Sequence, residues 1–195
     1  MRLFAAVQPP PPAVAELAGV VSEVRRLPDA DRLRWADQQG WHLTMAFYGE
    51  VDEVVLPELS ARLGRAAARH QPPTVRLAGG GRFGDRALWV GMSEGRPELE
   101  RLAASATAAG RRVGIPMEGR PFHGHLTLAR TRNTAATRLR PFADALASFQ
   151  GTSWVVTSLL LMRSDPGEVG QPPRYSPVGQ WPLGREPGPG VTVEP

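Results

Sequence analysis

The chain has 195 residues, 42 % of them hydrophobic, and a net charge of +4 at pH 7, which fits one domain or a compact two-lobed unit with a substantial core. It has no cysteine, so disulfides, a thiolate nucleophile and a cysteine-based zinc site are excluded. All 23 basic residues are arginine, which also excludes three kinds of protein that depend on lysine: those with a Walker-type phosphate loop, ligases that form a lysine–AMP adduct, and Schiff-base enzymes.

The spacing of apolar residues predicts the elements in chain order. The first half is predicted to contain a strand over 2–7, a helix with Val14, Leu17, Val21 and Val24 on one face, a half-buried strand over 42–48, a helix carrying Leu56, Leu59 and Leu63 with Asp52 as N-cap, and two strands near 74–78 and 87–92 joined through glycines. The second half is predicted to contain a helix started by Pro97, a strand over 125–129, a helix with Leu139, Phe142, Leu146 and Phe149, and strands over 153–163 and about 175–181.

The two halves of the chain match. Each reads helix, strand with the tripeptide HLT, helix, strand, strand, and the two tripeptides begin at His42 and His125, an offset of 83 residues. An internal repeat indicates a duplicated unit. We therefore predict an α+β fold of two lobes related by a pseudo-twofold axis. Each lobe has an antiparallel sheet and helices, and the active-site cleft lies between them. Residues 1–183 form this single domain, and 184–195 form a flexible tail rich in Gly and Pro.

Each HLT strand carries a polar pair on one face. Successive strand residues point to opposite sides, so His42 shares a face with Thr44, and His125 shares a face with Thr127. One such pair is most simply explained as a solvated strand face. Two copies at matching points of a repeat favour a shared site in the cleft.

Two histidines and two threonines facing one cleft suit the chemistry of phosphate esters. One neutral imidazole can take the proton of an attacking water, and one protonated imidazole can protonate the leaving oxygen. Both forms are available near neutrality because the unperturbed pKa of histidine is about 6.5. The threonine hydroxyls can donate to the equatorial phosphate oxygens, where charge accumulates.

The chain resembles the two-histidine (2H) phosphoesterase superfamily, and within it the bacterial and archaeal RNA 2′,3′-cyclic phosphodiesterases, also called 2′-5′ RNA ligases. The segments that carry the resemblance are RLFAAVQPP, WHLTMAFYGEV, RPFHGHLTLAR, LLLMRSD and PPRYSPV. The resemblance implies that His42 is the proton donor, that His125 is the proton acceptor, and that Thr44 and Thr127 hold the phosphate. It also implies conversion of a 2′,3′-cyclic phosphate end to a 2′-phosphate without metal or cofactor.

Three further residues are candidates for substrate binding. Arg130 matches an arginine common at this place in the subfamily and can contact phosphate or ribose, provided that the strand ends or bulges before it. Tyr48 shares the face of His42 under strict alternation and can stack on a base or simply pack at the rim. His123 lies two residues before His125 and can pair with it on a metal, but no third ligand stands at a telling spacing.

Four functions remain open at this point. Hydrolysis of cyclic phosphate ends of RNA or of cyclic nucleotides is the leading hypothesis. Ligation in the reverse direction, a non-catalytic RNA-end binding module and a histidine-based metal phosphatase are the alternatives. The all-arginine basic set suits phosphate contacts, although codon usage explains it at least as well. No apolar run is long enough to span a bilayer, so we expect a cytoplasmic protein with no membrane association. The sequence gives no sign of an obligate protein partner, and we expect none.

Overall fold

The computed structural model describes residues 1–119, 121–131, 137–167 and 173–184. The strands are β1 (Arg2–Val7), β2 (Leu33–Trp35), β3 (Leu43–Glu50), β4 (Thr74–Phe83), β5 (Ala87–Glu94), β6 (Leu126–Thr131), β7 (Trp154–Val155), β8 (Ser158–Asp165) and β9 (Arg174–Pro182). The helices are α1 (Pro11–Val24), α2 (Leu56–Ala68), α3 (Arg96–Arg112) and α4 (Arg140–Leu146). The predicted tail lies outside the described residues, apart from Gly184.

All four helices begin with proline in the first turn, where a missing N–H leaves no hydrogen bond unmade. They bury apolar faces close to those predicted; in α3 these residues are Leu99, Leu102, Ala103 and Ala106. The prediction that Asp52 is the N-cap of α2 is wrong, because a short 3₁₀ turn lies between Asp52 and the start of α2. Its carboxylate accepts from the Val54 N–H at 3.1 Å and so caps a 3₁₀ turn, Glu53–Val55, that leads into α2. No helix in the described part of the chain is long and apolar enough to cross a membrane.

The strands form one antiparallel sheet in the order β7-β4-β5-β6-β3-β1-β8-β9, with β2 paired to β6. The sheet is narrowest where β3 meets β6, because their register contains only the pair Leu43↔Leu126. This junction separates two lobes. Helices α2 and α3 pack beside the half that contains β3, β8 and β9, while α4 packs on β4 and β5 and also contacts α1. The predicted α+β class is therefore confirmed.

The pseudo-twofold relation extends to single residues. Ala6 is opposite Thr44 where β1 pairs with β3, and Trp89 is opposite Thr127 where β5 pairs with β6. Both partners of the second pair lie 83 residues after those of the first, which is the offset of the two HLT motifs. One extra residue is inserted at the same place in each copy, Met45 in β3 and Leu128 in β6, as a β-bulge. The two copies are therefore alike even in this irregularity.

The two lobes are not the two halves of the sequence. Helix α1 belongs to the first half of the chain but contacts α4 of the second half, and α3 crosses in the opposite direction to pack on β3. Strands are exchanged as well, since β4 and β5 of the first half lie beside β6, and β8 and β9 of the second half lie in the lobe of β3. Each lobe is therefore built from both halves of the chain, which meet again at the narrow β3–β6 junction.

Several predicted boundaries were wrong. Of the glycines predicted to join two short strands, Gly84 does lie in the turn, but Gly79, Gly80 and Gly81 do not, since β4 runs through them to Phe83. They are required there by close packing: a Cβ on Gly81 would lie 2.1 Å from the Trp89 ring, and one on Gly80 would lie 2.4 Å from the Leu146 side chain. The predicted strand 153–163 is split into β7 and β8, and Phe149 lies beyond the end of α4.

Candidate active site

The four motif residues meet where β3 and β6 join. Leu43 is opposite Leu126 in an antiparallel register, so His42 lies across from Thr127, and Thr44 lies across from His125. All four side chains line one cleft of about 760 Å³. The pseudo-twofold axis passes between them, so each histidine faces the threonine of the other copy.

Both imidazoles are held by the same backbone contact. Nδ1 of His42 lies 2.6 Å from the carbonyl oxygen of Gly40, and Nδ1 of His125 lies 2.6 Å from that of His123. A carbonyl oxygen can only accept, so each Nδ1 carries the proton and donates it. Nε2 is then the nitrogen available to a substrate: an acceptor in neutral imidazole and a donor in imidazolium. The fold therefore fixes the tautomer that proton transfer at Nε2 requires.

Each histidine is also enclosed by aromatic rings. His42 lies 4.7 Å from the ring of Phe4 and 5.2 Å from that of Tyr175, between ring centroids. His125 lies 4.8 Å from Phe83 and 6.0 Å from Trp89. These rings exclude water from one side of each imidazole and limit its rotation.

This burial shifts both titrations in the same direction. Desolvation lowers the pKa of His42, the hydrogen bond to Gly40 opposes the shift, and the charge on His125 lowers it further. Desolvation also lowers the pKa of His125, against its backbone hydrogen bond, and the charges of His123 and Arg130 act in the same direction as burial. The arginine beside His125 favours its neutral form, which is the form of a proton acceptor.

The β-bulge decides which residues after each motif reach the cleft. Because Met45 and Leu128 are extra residues, Ala46 and Ala129 turn inward, and Phe47 and Arg130 take equivalent places on the cleft side. Arg130 was predicted to reach the site only if the strand ended or bulged before it. The bulge at Leu128 meets this condition, and Arg130 lines the cleft. Phe47 keeps 65 % of its surface exposed there.

The assignment of Tyr48 to the cleft is wrong for the same reason. The bulge turns its side chain into the core, where it is 4 % exposed and its hydroxyl donates to the Ala106 carbonyl at 3.0 Å. Burial raises the pKa of Tyr48 beyond its usual range. Tyr48 therefore joins β3 to α3, and its neighbour Phe47 lines the cleft instead.

His123 acts on the site mainly through its backbone. Its carbonyl holds His125, while its exposed ring contacts Phe83 and Trp89 at centroid distances of 5.2 and 4.8 Å. Within the described residues, no three His, Asp or Glu side chains lie close enough together to hold a metal ion.

Four cleft residues used in the proposals below were not singled out from the sequence: Arg2, Arg34, Phe47 and Tyr175. Arg34 lies on β2, a strand too short to show a pattern, and Tyr175 reaches the site from β9 through long-range pairing. Arg2 begins β1, whose side chains are otherwise buried. The only signals for them were the segments that carry the resemblance: RLFAAVQPP contains Arg2, WHLTMAFYGEV contains Phe47 and PPRYSPV contains Tyr175.

A model of the 2′-5′ RNA ligase superfamily matches residues 9–168, which include both motifs. The chain belongs to the 2′-5′ RNA ligase superfamily.

Two relatives and one solved structure show which members of the superfamily this chain is similar to. The RNA 2′,3′-cyclic phosphodiesterase of Escherichia coli is 33 % identical over 80 % of this chain and 82 % of its own. That of Geobacillus stearothermophilus is 30 % identical over 76 % of this chain, and the match spans only 47 % of its length. The crystal structure of E. coli LigT complexed with 3′-AMP has a TM-score of 0.77 and 28 % identity, and the match covers 93 % of this chain and 97 % of LigT.

Proposed function

We propose that this chain hydrolyses 2′,3′-cyclic phosphates at RNA ends to 2′-phosphomonoesters. The observation that carries the proposal is the matched pair of imidazoles, each with Nδ1 bonded to a backbone carbonyl and Nε2 left for the substrate. The enzyme is an RNA 2′,3′-cyclic phosphodiesterase, the activity named for its relatives. The substrate is the end of an RNA or a cyclic nucleotide, and the enzyme works in the cytoplasm.

Water attacks phosphorus in this reaction and the bond from phosphorus to O3′ breaks. Neutral His125 takes a proton from the attacking water at Nε2, helped by the low pKa that burial and Arg130 give it. Protonated His42 donates from Nε2 to the departing O3′. The two residues lie on opposite sides of the junction, as an attacking and a leaving oxygen do in an in-line displacement. Thr44 and Thr127 donate their hydroxyl hydrogens to the equatorial oxygens, where negative charge develops.

The proposal is tested by incubating the purified protein with a nucleoside 2′,3′-cyclic phosphate and locating the phosphate of the product by ³¹P NMR. We expect only the 2′-phosphate. A 3′-phosphate product would mean that the other ester bond breaks, and no product from any of the four nucleosides or from an RNA end would reject the activity.

Ligation of a cyclic phosphate end to a 5′-hydroxyl as a 2′-5′ bond is the second candidate, because the superfamily model that matches carries that name. The same histidines serve the reverse reaction with their roles exchanged. In about 55 M water hydrolysis dominates unless the site is closed to water. The four motif residues line an open cleft, so hydrolysis is the direction that we propose.

The plot of kcat/KM against pH should be bell-shaped, and the lowered pKa values of the two histidines determine the pH of its maximum. The active form needs one protonated and one neutral histidine, so activity is lost in acid when the base is protonated and in alkali when the acid is deprotonated. Both pKa values are lowered in the free enzyme, and kcat/KM should therefore be maximal below about pH 6.5. The bound phosphate anion raises both pKa values, so the maximum of kcat should lie at higher pH. A flat profile between about pH 5 and 9, with chemistry rate-limiting, would contradict the histidine pair.

Phe47 should bind the base of the terminal nucleotide, because its ring lines the cleft and is 65 % exposed. Stacking of one base is worth about 1–3 kcal/mol, so Phe47→Ala should raise KM roughly tenfold and change kcat less. Tyr48→Phe is the matched control one residue away: it deletes the hydroxyl bonded to Ala106 and should lower the free energy of unfolding by about 1 kcal/mol without changing KM. Equal KM values in Phe47→Ala and the wild type would exclude Phe47 from base binding.

A further inference from the structure

Two arginines of the cleft are placed directly against each other. Arg34 of β2 and Arg130 of β6 are opposite in the antiparallel register, so both side chains stand on the same face of the sheet. Both are exposed and both line the cleft. Like charges directly opposite on neighbouring strands destabilise a sheet. The register therefore places two like charges side by side in the cleft that holds the histidines.

The acidic side chains of the cleft do not neutralise this pair, because each is engaged elsewhere. The contacts are those of Asp37 with the Gln39 N–H at 3.0 Å, Glu50 with the N-terminal amino group at 3.6 Å, and Asp165 with Arg163 at 3.0 Å. Within the described residues, Arg34 and Arg130 thus have no ion-pair partner. Arg2 lines the same cleft, but Glu50 is opposite it in the sheet.

The charges of this pair act on two other groups of the cleft, His125 and Tyr175. The charge of Arg130 lowers the pKa of His125. Burial raises the pKa of Tyr175, and the charges of Arg130, Arg2 and Arg34 oppose that shift. Arg130 follows Thr127 by three residues on the same strand, a distance of roughly 10 Å between Cα atoms at most. One ligand can therefore place a phosphate at the histidines and a second anion between Arg34 and Arg130.

We propose that Arg34 and Arg130 bind a second phosphate, carried on O5′ of the ribose that bears the cyclic phosphate. Two guanidinium groups suit a phosphate because each can donate two parallel hydrogen bonds to it. In RNA this group is the phosphodiester that joins the last nucleotide to the rest of the chain, and in a free nucleotide it is a 5′-phosphate. The preferred substrate is then a 2′,3′-cyclic phosphate nucleotide that also carries a phosphate on its own O5′, and not a nucleoside cyclic phosphate without one. This inference rests on the proposed function.

The test compares kcat/KM for three substrates of the same base: a nucleoside 2′,3′-cyclic phosphate, its 5′-phosphorylated form, and a dinucleotide ending in the cyclic phosphate. We expect the wild type to prefer the second or third over the first by roughly tenfold or more, because a phosphate bound by two guanidiniums gains charge-assisted hydrogen bonds. A higher value for the dinucleotide would identify the phosphodiester as the natural ligand, and a higher value for the 5′-phosphorylated form would identify a terminal phosphate.

Arg34→Gln should reduce this preference roughly tenfold, since the loss falls more heavily on substrates with the second phosphate. Arg111→Gln is the control, because it removes the same charge from an exposed helix position that does not line the cleft. Equal kcat/KM for all three substrates in the wild type, or an equal loss on all three in Arg34→Gln, would overturn the inference. If the proposed function itself were wrong, the wild type would hydrolyse none of the three substrates, which distinguishes that result from failure of the inference.

Thermal unfolding without substrate gives a readout independent of activity. Removing one charge of the opposed pair should raise the Tm of Arg34→Gln at low salt, and the gain should shrink as salt screens the repulsion. Arg111→Gln should show no such gain. A lower Tm for Arg34→Gln would mean that Arg34 stabilises the sheet, which contradicts an anion site between unpaired charges.

Discussion

Loss of either motif histidine is expected to reduce kcat by roughly 10²–10⁴-fold, because a positioned acid or base contributes about that much to proton transfer. The most informative variants are His42→Asn and His125→Asn. An asparagine amide can still donate to the carbonyl of Gly40 or His123, but it cannot take up or release a proton near neutrality. These variants therefore separate the proton transfer from the packing of the ring against its aromatic neighbours.

The control for the histidine variants is His70→Ala. This histidine lies beyond α2, where its Nε2 is 2.9 Å from the Ser105 hydroxyl, and it does not line the cleft. We expect near wild-type kcat and a small loss of stability. Turnover by His42→Asn or His125→Asn at more than about a tenth of the wild-type rate would reject the acid–base pair.

The threonine hydroxyls are expected to give the second largest effect. Thr→Val keeps the branched shape that suits a strand and deletes the donor. Loss of one donor to developing charge costs roughly 10²–10³-fold in kcat in a dry site, and the open cleft should bring Thr44→Val and Thr127→Val to the lower end of that range or below it. The comparison is with Thr44→Ser and Thr127→Ser, which keep the hydroxyl and should recover much of the loss.

Activity should also survive excess EDTA in all of these proteins. If EDTA stopped turnover and zinc or manganese restored it, a metal and not the threonines would hold the phosphate. An unchanged kcat in the double variant Thr44→Val/Thr127→Val would remove the threonines from the mechanism while leaving the histidines in place.

The sequence was sufficient for those parts of the site that are local and repeated. Alternation within the HLT strands placed His42 with Thr44 and His125 with Thr127, and the offset of 83 residues predicted the pseudo-twofold relation that the strand registers confirm. Alternation failed one step later, where it assigned Tyr48 to the cleft. A signal was present: two adjacent inward residues, Met45–Ala46 and Leu128–Ala129, occur at the same place in both copies, as a bulge requires.

Residues brought in by long-range pairing could not be found in this way. Arg34 faces Arg130 only because β2 pairs with β6, and Tyr175 reaches His42 only because β9 extends the sheet beyond β8. The exchange of α1 and α3 between the lobes is likewise invisible to local patterns, since periodicity shows that a helix has an apolar face but not which sheet covers it.

In the proposed reaction, water opens a cyclic phosphate between two histidines. The most direct measurement is a single reaction of a 2′,3′-cyclic-phosphate oligonucleotide in ¹⁸O-labelled water with EDTA present, followed by mass and position analysis of the product. We expect the wild type to form a 2′-phosphate that contains one ¹⁸O atom, and we expect His42→Asn and His125→Asn to form this product more slowly by the factor lost in kcat. A 3′-phosphate product, a product without ¹⁸O, or histidine variants that react as fast as the wild type would contradict this mechanism.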